Sequence, residues 1–240
     1  MIKILWIIYF IFYLIISIPS LIKVRIIKKY NHKKGEQLSY LKVRSMANYI
    51  LNVTKTEVDI TGIENIPERN CVFVLNHQGI FDGFLILAYL NKNISLIGKK
   101  EIKKLPLICS WLKEINTIFI DRKNLKESVK SIYKGIDMIN NGYSIVIFPE
   151  GTRSQGSFMN EFKKGSLRLA LKTNVPIVPI TLNGTYRILE KGKKVSGNKV
   201  KMIIHQMIET DRLSKEEEEG LNSRIFNIIN QELIRISETD

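Results

Sequence analysis

The sequence predicts an α/β fold: a mostly parallel central sheet flanked by helices, with an N-terminal membrane-associated helical segment. Three observations carry this. Short apolar runs of strand length alternate with longer segments at helical spacing, the pattern of a parallel sheet covered on both faces. Polar stretches at His77, at Arg122 and at residues 150–153 each stand just past such a run, where α/β sheets present groups to a ligand. Residues 4–18 are almost wholly apolar.

The chain has 240 residues, enough for one full core. Residues 1–35 read as a hydrophobic membrane anchor with a basic cluster, and residues 36–240 as one α/β domain. The apolar run is shorter than the roughly 20 residues of a comfortable span, although counting on to Val24 nearly reaches it. One lysine precedes the run and no small-x-small site follows, which disfavours a cleaved signal peptide. A spanning anchor stays open, and so does a helix or helical hairpin within one leaflet, because Pro19 and Ser20 can turn the chain. Lys23, Arg25, Lys28, Lys29, Lys33 and Lys34 follow with no acid among them. Beside an apolar helix such a cluster belongs on the cytoplasmic face of a cell membrane.

Residues 38–53 have helical periodicity, and 58–61 alternate as a short strand before turns at Gly62 and Pro67. Residues 71–75 read as a buried strand, and a helix begins near Gly83. Residues 94–97 and 117–120 are further strands, with Lys99, Lys100, Lys103, Lys104 and a short apolar helix (108–115) between them. Val129, Ile132, Ile136 and Ile139 stripe a helix over 125–140 that ends at Asn141-Gly142. Residues 144–148 form a fourth strand, and Lys164-Gly165 opens the next helix. Residues 175–182 are a strand whose two prolines suggest an edge position or an irregular start. A polar loop (183–198), a strand over 200–208 and a closing helix complete the chain. That helix opens on a capping box, Ser214 with Glu217.

A net charge of +14 calls for a polyanionic partner: nucleic acid, an anionic membrane or a phosphate-bearing substrate. Nucleic acid is disfavoured, for there is no zinc spacing, no aromatic RNA-binding strand and no basic recognition helix. Three scattered histidines do not suggest a metal site. Cys71 and Cys109 have no redox or metal spacing and read as reduced core thiols.

His77 and Asp82 are separated by a strand-to-helix turn, which lets the carboxylate fold back onto the imidazole. Histidine is the usual general base for a hydroxyl, and a carboxylate on its far nitrogen fixes the tautomer. No serine or cysteine stands in a nucleophile elbow, so direct attack by a substrate hydroxyl is favoured over a covalent acyl-enzyme. Glu150-Gly151-Thr152-Arg153 supplies backbone N–H groups, a hydroxyl and a guanidinium, which suit a phosphate monoester. Arg122, Lys99 and Lys100 can add charge. His32 and His205 read as structural residues.

Four blocks in order resemble the PlsC-type glycerolipid acyltransferases. They are Asn76-His77 with Asp82; Lys99-Lys100-Glu101 through Pro106 to Phe119-Ile120-Asp121-Arg122; Phe148-Pro149-Glu150-Gly151-Thr152-Arg153-Ser154; and Val175-Pro176-Ile177-Val178-Pro179. The resemblance covers roughly residues 56–182. Two positions depart from it: Gly79 stands where many members have serine, and Cys109 where glycine is common.

The resemblance implies acyl transfer from a thioester to the 2-hydroxyl of 1-acyl-glycerol 3-phosphate, giving phosphatidic acid. It implies no bound cofactor, with acyl carrier protein or coenzyme A carrying the donor. It implies His77 as base and Asp82 as its partner. The acceptor phosphate would then lie on Arg153 with Glu150, Gly151 and Thr152, and more weakly on Arg122, Lys99 and Lys100. Another lysophospholipid or glycerol 3-phosphate stays open as acceptor. A non-catalytic protein binding anionic membrane would explain the apolar run and basic cluster, but not His77, Asp82 and Arg153 at strand ends.

Overall fold

A computed structural model describes residues 2–121, 125–191, 195 and 199–238. Arg122 lies outside the described residues. A seven-stranded sheet runs in the order β1 (Glu57–Thr61), β7 (Lys199–Ile204), β6 (Ile177–Asn183), β2 (Val72–Leu75), β5 (Ser144–Ile147), β3 (Ile94–Lys99), β4 (Ile118–Ile120). All pairings are parallel except β6 with β7. The strands from β6 across to β4 therefore point their carboxyl ends the same way.

The centre of the sheet follows from the sequence of β2. Phe73 and Leu75 face one layer and Val72 and Val74 the other, and all four are fully buried. A strand without a polar position is stable only where both faces are covered. One face packs on α3 (His32–Val53) and α4 (Phe81–Tyr89), with α5 (Pro106–Glu114) against α3. The other packs on α6 (Leu125–Asn140), α7 (Arg168–Thr173) and α9 (Lys215–Glu238). The capping box forms as expected: Glu217 N–H donates to Ser214 Oγ, and Ser214 N–H to Glu217 Oε2.

The apolar N-terminus forms α1 (Lys3–Ile16) and α2 (Ile18–Tyr30), a nearly continuous 28-residue run long and apolar enough to cross a membrane. Pro19 does not turn the chain. It sits in the first turn of α2, where its missing N–H costs nothing. The chain doubles back at Asn31 instead, whose side chain caps α3 by accepting from Lys34 N–H. Gly35 makes this possible, since a Cβ there would stand 2.3 Å from Lys28 Cα. One side of α1 docks on the domain through Trp6 against Phe81 and Phe10 against Phe84. The other side leaves Ile4, Ile8, Phe12 and Ile15 exposed.

Four local expectations are corrected. β6 is an interior strand, not an edge, because its proline is accommodated by a detour in its neighbour. Pro179 lacks an N–H on the β7 side; there the chain runs through residues 205–207 and rejoins β6 at an Ile177–Ile208 bridge. This detour also ends β7 at Ile204, short of Ile208. The helix placed from Lys164 begins at Arg168, since Gly165 adopts a left-handed φ of +79°. The loop after β6 contains a short helix, α8 (Tyr186–Leu189).

Candidate active site

The strand order puts three carboxyl ends side by side. β2 leads to His77, β5 on one side leads to Glu150 and Arg153, and β6 on the other leads to Asn183 and Thr185. The turn after β2 is fastened to both neighbours. Asn76 Nδ2 donates to Leu182 O and its Oδ1 accepts from Leu182 N–H, each at 2.8 Å. Gln78 Oε1 accepts from Gly184 N–H at 2.9 Å. From the β5 side, Ser154 and Gln155 N–H donate to the carbonyls of His77 and Gln78.

Asp82 lies in the first turn of α4 and is fully buried. Its Oδ2 lies 2.7 Å from His77 Nδ1 and accepts from Gln78 N–H at 2.7 Å and Gly79 N–H at 3.0 Å. Its Oδ1 accepts from the Thr185 hydroxyl. A buried carboxylate held by four donors at a helix N-terminus cannot turn away. Facing an acceptor, His77 Nδ1 carries the proton, which leaves the lone pair on Nε2. Phe148 stacks on the imidazole at 4.2 Å between centroids. The His77 side chain keeps 18% of its surface exposed, and Nε2 has no hydrogen-bond partner among the described residues. It is the open, basic atom of the site.

Glu150 is placed differently from the sequence expectation. Its carboxylate turns inward, away from any phosphate: Oε1 accepts from His77 N–H at 2.6 Å, and Oε2 from Asn160 N–H and Nδ2 at 2.8 and 2.9 Å. Burial pushes its acid group above the ordinary carboxylate range, while these three donors pull the other way. Gly151 takes a φ of +70°, and the Lys163 ammonium lies over it, 2.8 Å from where a Cβ would stand. Thr152 is exposed. Arg153 is half-buried, and its Nη1 pairs with Glu190 at 3.0 Å.

Lys99 and Lys100 stand further along the same edge of the sheet. They lie at the end of β3, two strands from β2, about 10 Å away by ladder spacing. Lys100 is exposed and pairs with Asp121 at the end of β4. The lysine–aspartate contact draws one block of the sequence together but does not reach His77. Among the described residues no three His, Cys, Asp or Glu side chains converge as a metal site would require.

Sequence reasoning missed Gln78, Phe148, Asn160, Lys163, Thr185 and Glu190. Thr185 had a readable signal, since Asn183-Gly184-Thr185 follows a buried strand as His77 does. Glu190 had none, for it lies among charged residues in a polar loop.

A mostly parallel sheet with a buried histidine–carboxylate pair at the end of its central strand defines an α/β enzyme. Known proteins narrow the class. Residues 57–183 match the family model described as Acyltransferase. A 1-acyl-sn-glycerol-3-phosphate acyltransferase of Borreliella burgdorferi is 31% identical over 205 residues, 85% of this chain and 80% of that protein. A chloroplastic 1-acyl-sn-glycerol-3-phosphate acyltransferase of Brassica napus is 35% identical over 156 residues, 63% of this chain and 45% of that one. The crystal structure of the 1-acyl-sn-glycerophosphate acyltransferase PlsC from Thermotoga maritima superposes with a TM-score of 0.83 at 27% identity, covering 98% of this chain and 96% of that one. The chain belongs to the PlsC-type 1-acyl-sn-glycerol-3-phosphate acyltransferase family. Membership implies an acyl thioester as donor.

Proposed function

We propose that the protein transfers a fatty acyl group from an acyl thioester to the 2-hydroxyl of a 1-acylglycerol 3-phosphate, giving phosphatidic acid. The observation that carries this is the His77–Asp82 pair, 2.7 Å apart, with Nε2 open and the turn that carries Arg153 hydrogen-bonded to the His77 turn. His77 Nε2 accepts the hydroxyl proton as the acceptor oxygen attacks the thioester carbonyl. The new C–O bond forms, the C–S bond breaks, and the proton passes from His77 to the departing thiolate. Asp82 keeps the imidazole in the right tautomer and stabilises its charged form. Arg153 and Lys163, on and over the turn of Gly151 and Thr152, bind the acceptor phosphate, while Glu150 braces the turn beneath them.

Residues 1–35 hold the protein on the membrane and residues 36–240 carry the chemistry, on the cytoplasmic face to which the cluster from Lys23 to Lys34 points. Membrane lipid delivers the acceptor. Acyl carrier protein or coenzyme A delivers the acyl group from the aqueous side. Nucleic acid has no part.

The test uses purified protein in lipid, labelled donors of both kinds, and a panel of lysophospholipids and glycerol 3-phosphate. Turnover on 1-acylglycerol 3-phosphate should exceed the rest and fall by roughly 10² to 10⁴ in His77→Ala. Full activity in that variant would sink the mechanism. Preference for another acceptor would replace the substrate while keeping the chemistry.

A further inference from the structure

Glu190 closes α8 on the chain leaving β6, and it is held in an unusual way. Its side chain is 6% exposed. Oε1 accepts from Ile80 N–H at 2.7 Å and from Arg153 Nη1 at 3.0 Å. Oε2 is buried and has no hydrogen-bond partner among the described residues. The two donors are those that bind an anionic oxygen: an N–H at the start of a nine-residue helix, aided by its dipole, and a guanidinium. A carboxylate of the chain itself thus sits in an anion cradle beside His77.

Gly79 makes room for it. A Cβ on Gly79 would stand 2.8 Å from Glu190 Oε2 and 3.1 Å from its Cδ. Burial pushes the Glu190 acid above the ordinary carboxylate range, and the nearby Asp82 charge adds to the push. Glu150 shows what a buried carboxylate looks like when both oxygens serve the fold. Glu190 keeps one idle.

We propose that Glu190 is an internal competitor for the acceptor's phosphate, occupying Arg153 and the Ile80 N–H until a strongly anionic headgroup takes them. This rests on the reading of Arg153 as a phosphate ligand. A phosphate dianion and a carboxylate cannot share one half-buried guanidinium without strong repulsion, so Glu190 must swing out or take up a proton. Either costs binding energy, and only an acceptor that displaces the carboxylate meets that cost. A monoester dianion gains enough from the two donors through its second charge to do so. A phosphodiester headgroup, with one charge, leaves Glu190 in place and goes without Arg153. Glu190 therefore works as a specificity-determining residue that favours monoester phosphate.

The experiment compares full-length wild type, Glu190→Gln, Arg153→Ala and the double variant in lipid. The acceptors are 1-acylglycerol 3-phosphate and a lysophospholipid with a choline phosphodiester head. Glutamine keeps the shape and one acceptor oxygen, and a thermal melt checks folding. Glu190→Gln should lower KM for the monoester by about tenfold with a smaller change in kcat, and should narrow the discrimination between the two acceptors. In the Arg153→Ala background the same change should move KM by no more than about twofold. Gly79→Ser, which crowds the carboxylate, should shift KM the same way as Glu190→Gln. A higher or unchanged KM in Glu190→Gln, with KM raised in Arg153→Ala, would overturn this proposal alone and make Glu190 a brace for the arginine. An unchanged KM in Arg153→Ala would overturn the phosphate-site reading itself.

Discussion

Glu150 and Glu190 approach the His77 turn from the two strands that flank β2, and they are held in opposite ways. Glu150, from the β5 side, is 2% exposed and fills both oxygens with three N–H donors. Glu190, from the β6 side, is nearly as buried but loads both donors onto one oxygen. Burial pushes both acids up. The difference shows how to tell a structural carboxylate from a poised one: by whether its bonds are complete, since burial alone does not separate them.

The largest effect expected on that comparison comes from what both glutamates surround. His77→Ala should remove roughly 10² to 10⁴ of the turnover, and Asp82→Asn should fall in the same range by releasing the imidazole tautomer. If Asp82→Asn were active at the wild-type rate, the buried pair would be part of the fold and not of the chemistry.

Next come the glutamates themselves. In Glu150→Gln an NH2 must face an N–H already aimed at it, whichever way the amide is set. That leaves buried donors opposed and should cost about 1 to 3 kcal/mol. At about 2 to 4 °C per kcal/mol for a chain of this size, the melting midpoint should drop by about 2 to 12 °C. In Glu190→Gln the NH2 can take the place of the idle Oε2 while the amide oxygen keeps both donors. Its melting midpoint should therefore stay within about 2 °C of wild type. Equal losses in the two variants would erase the distinction between brace and competitor.

How much of this was legible in the sequence depends on what kind of force made each feature. The α/β class was legible because a strand such as β2, apolar at every position, can be satisfied in few ways. The His77–Asp82 contact was legible because it is local, spanning one turn between a strand and a helix. Glu190 was not, because its partners Ile80 and Arg153 are 110 and 37 residues away, and no periodicity marks such a pairing. The inward turn of Glu150 was hidden for the same reason: Asn160, which takes its second oxygen, sits in a loop without pattern. The interior place of β6 was left open between an edge and an irregular start because the rule that excludes proline considers one strand. The remedy lies in its neighbour, which detours around Pro179.

The smallest predicted effect contrasts the glutamates with a buried group of opposite charge. His205 lies on the detour beside β6, with Nε2 at 2.8 Å from Thr181 Oγ1. Burial holds its imidazole below its ordinary value of 6.5, against a weaker upward pull from Glu232. The folded state then binds fewer protons than the unfolded one as pH falls through that value, so stability is full above it and is lost on acidification. For Glu150 and Glu190, whose acids are pushed above 4.5, the sign reverses. There the folded state holds the extra protons, and stability declines as pH rises through the shifted range. In chemical denaturation between pH 5 and 7.5, His205→Gln should lack the loss of stability that wild type shows as pH falls through 6.5. Glu190→Gln should instead lose the decline that wild type shows as pH rises from its lower end. A wild-type slope near 6.5 that survives in His205→Gln would place the sensitive proton elsewhere, with the two glutamates the first groups to examine.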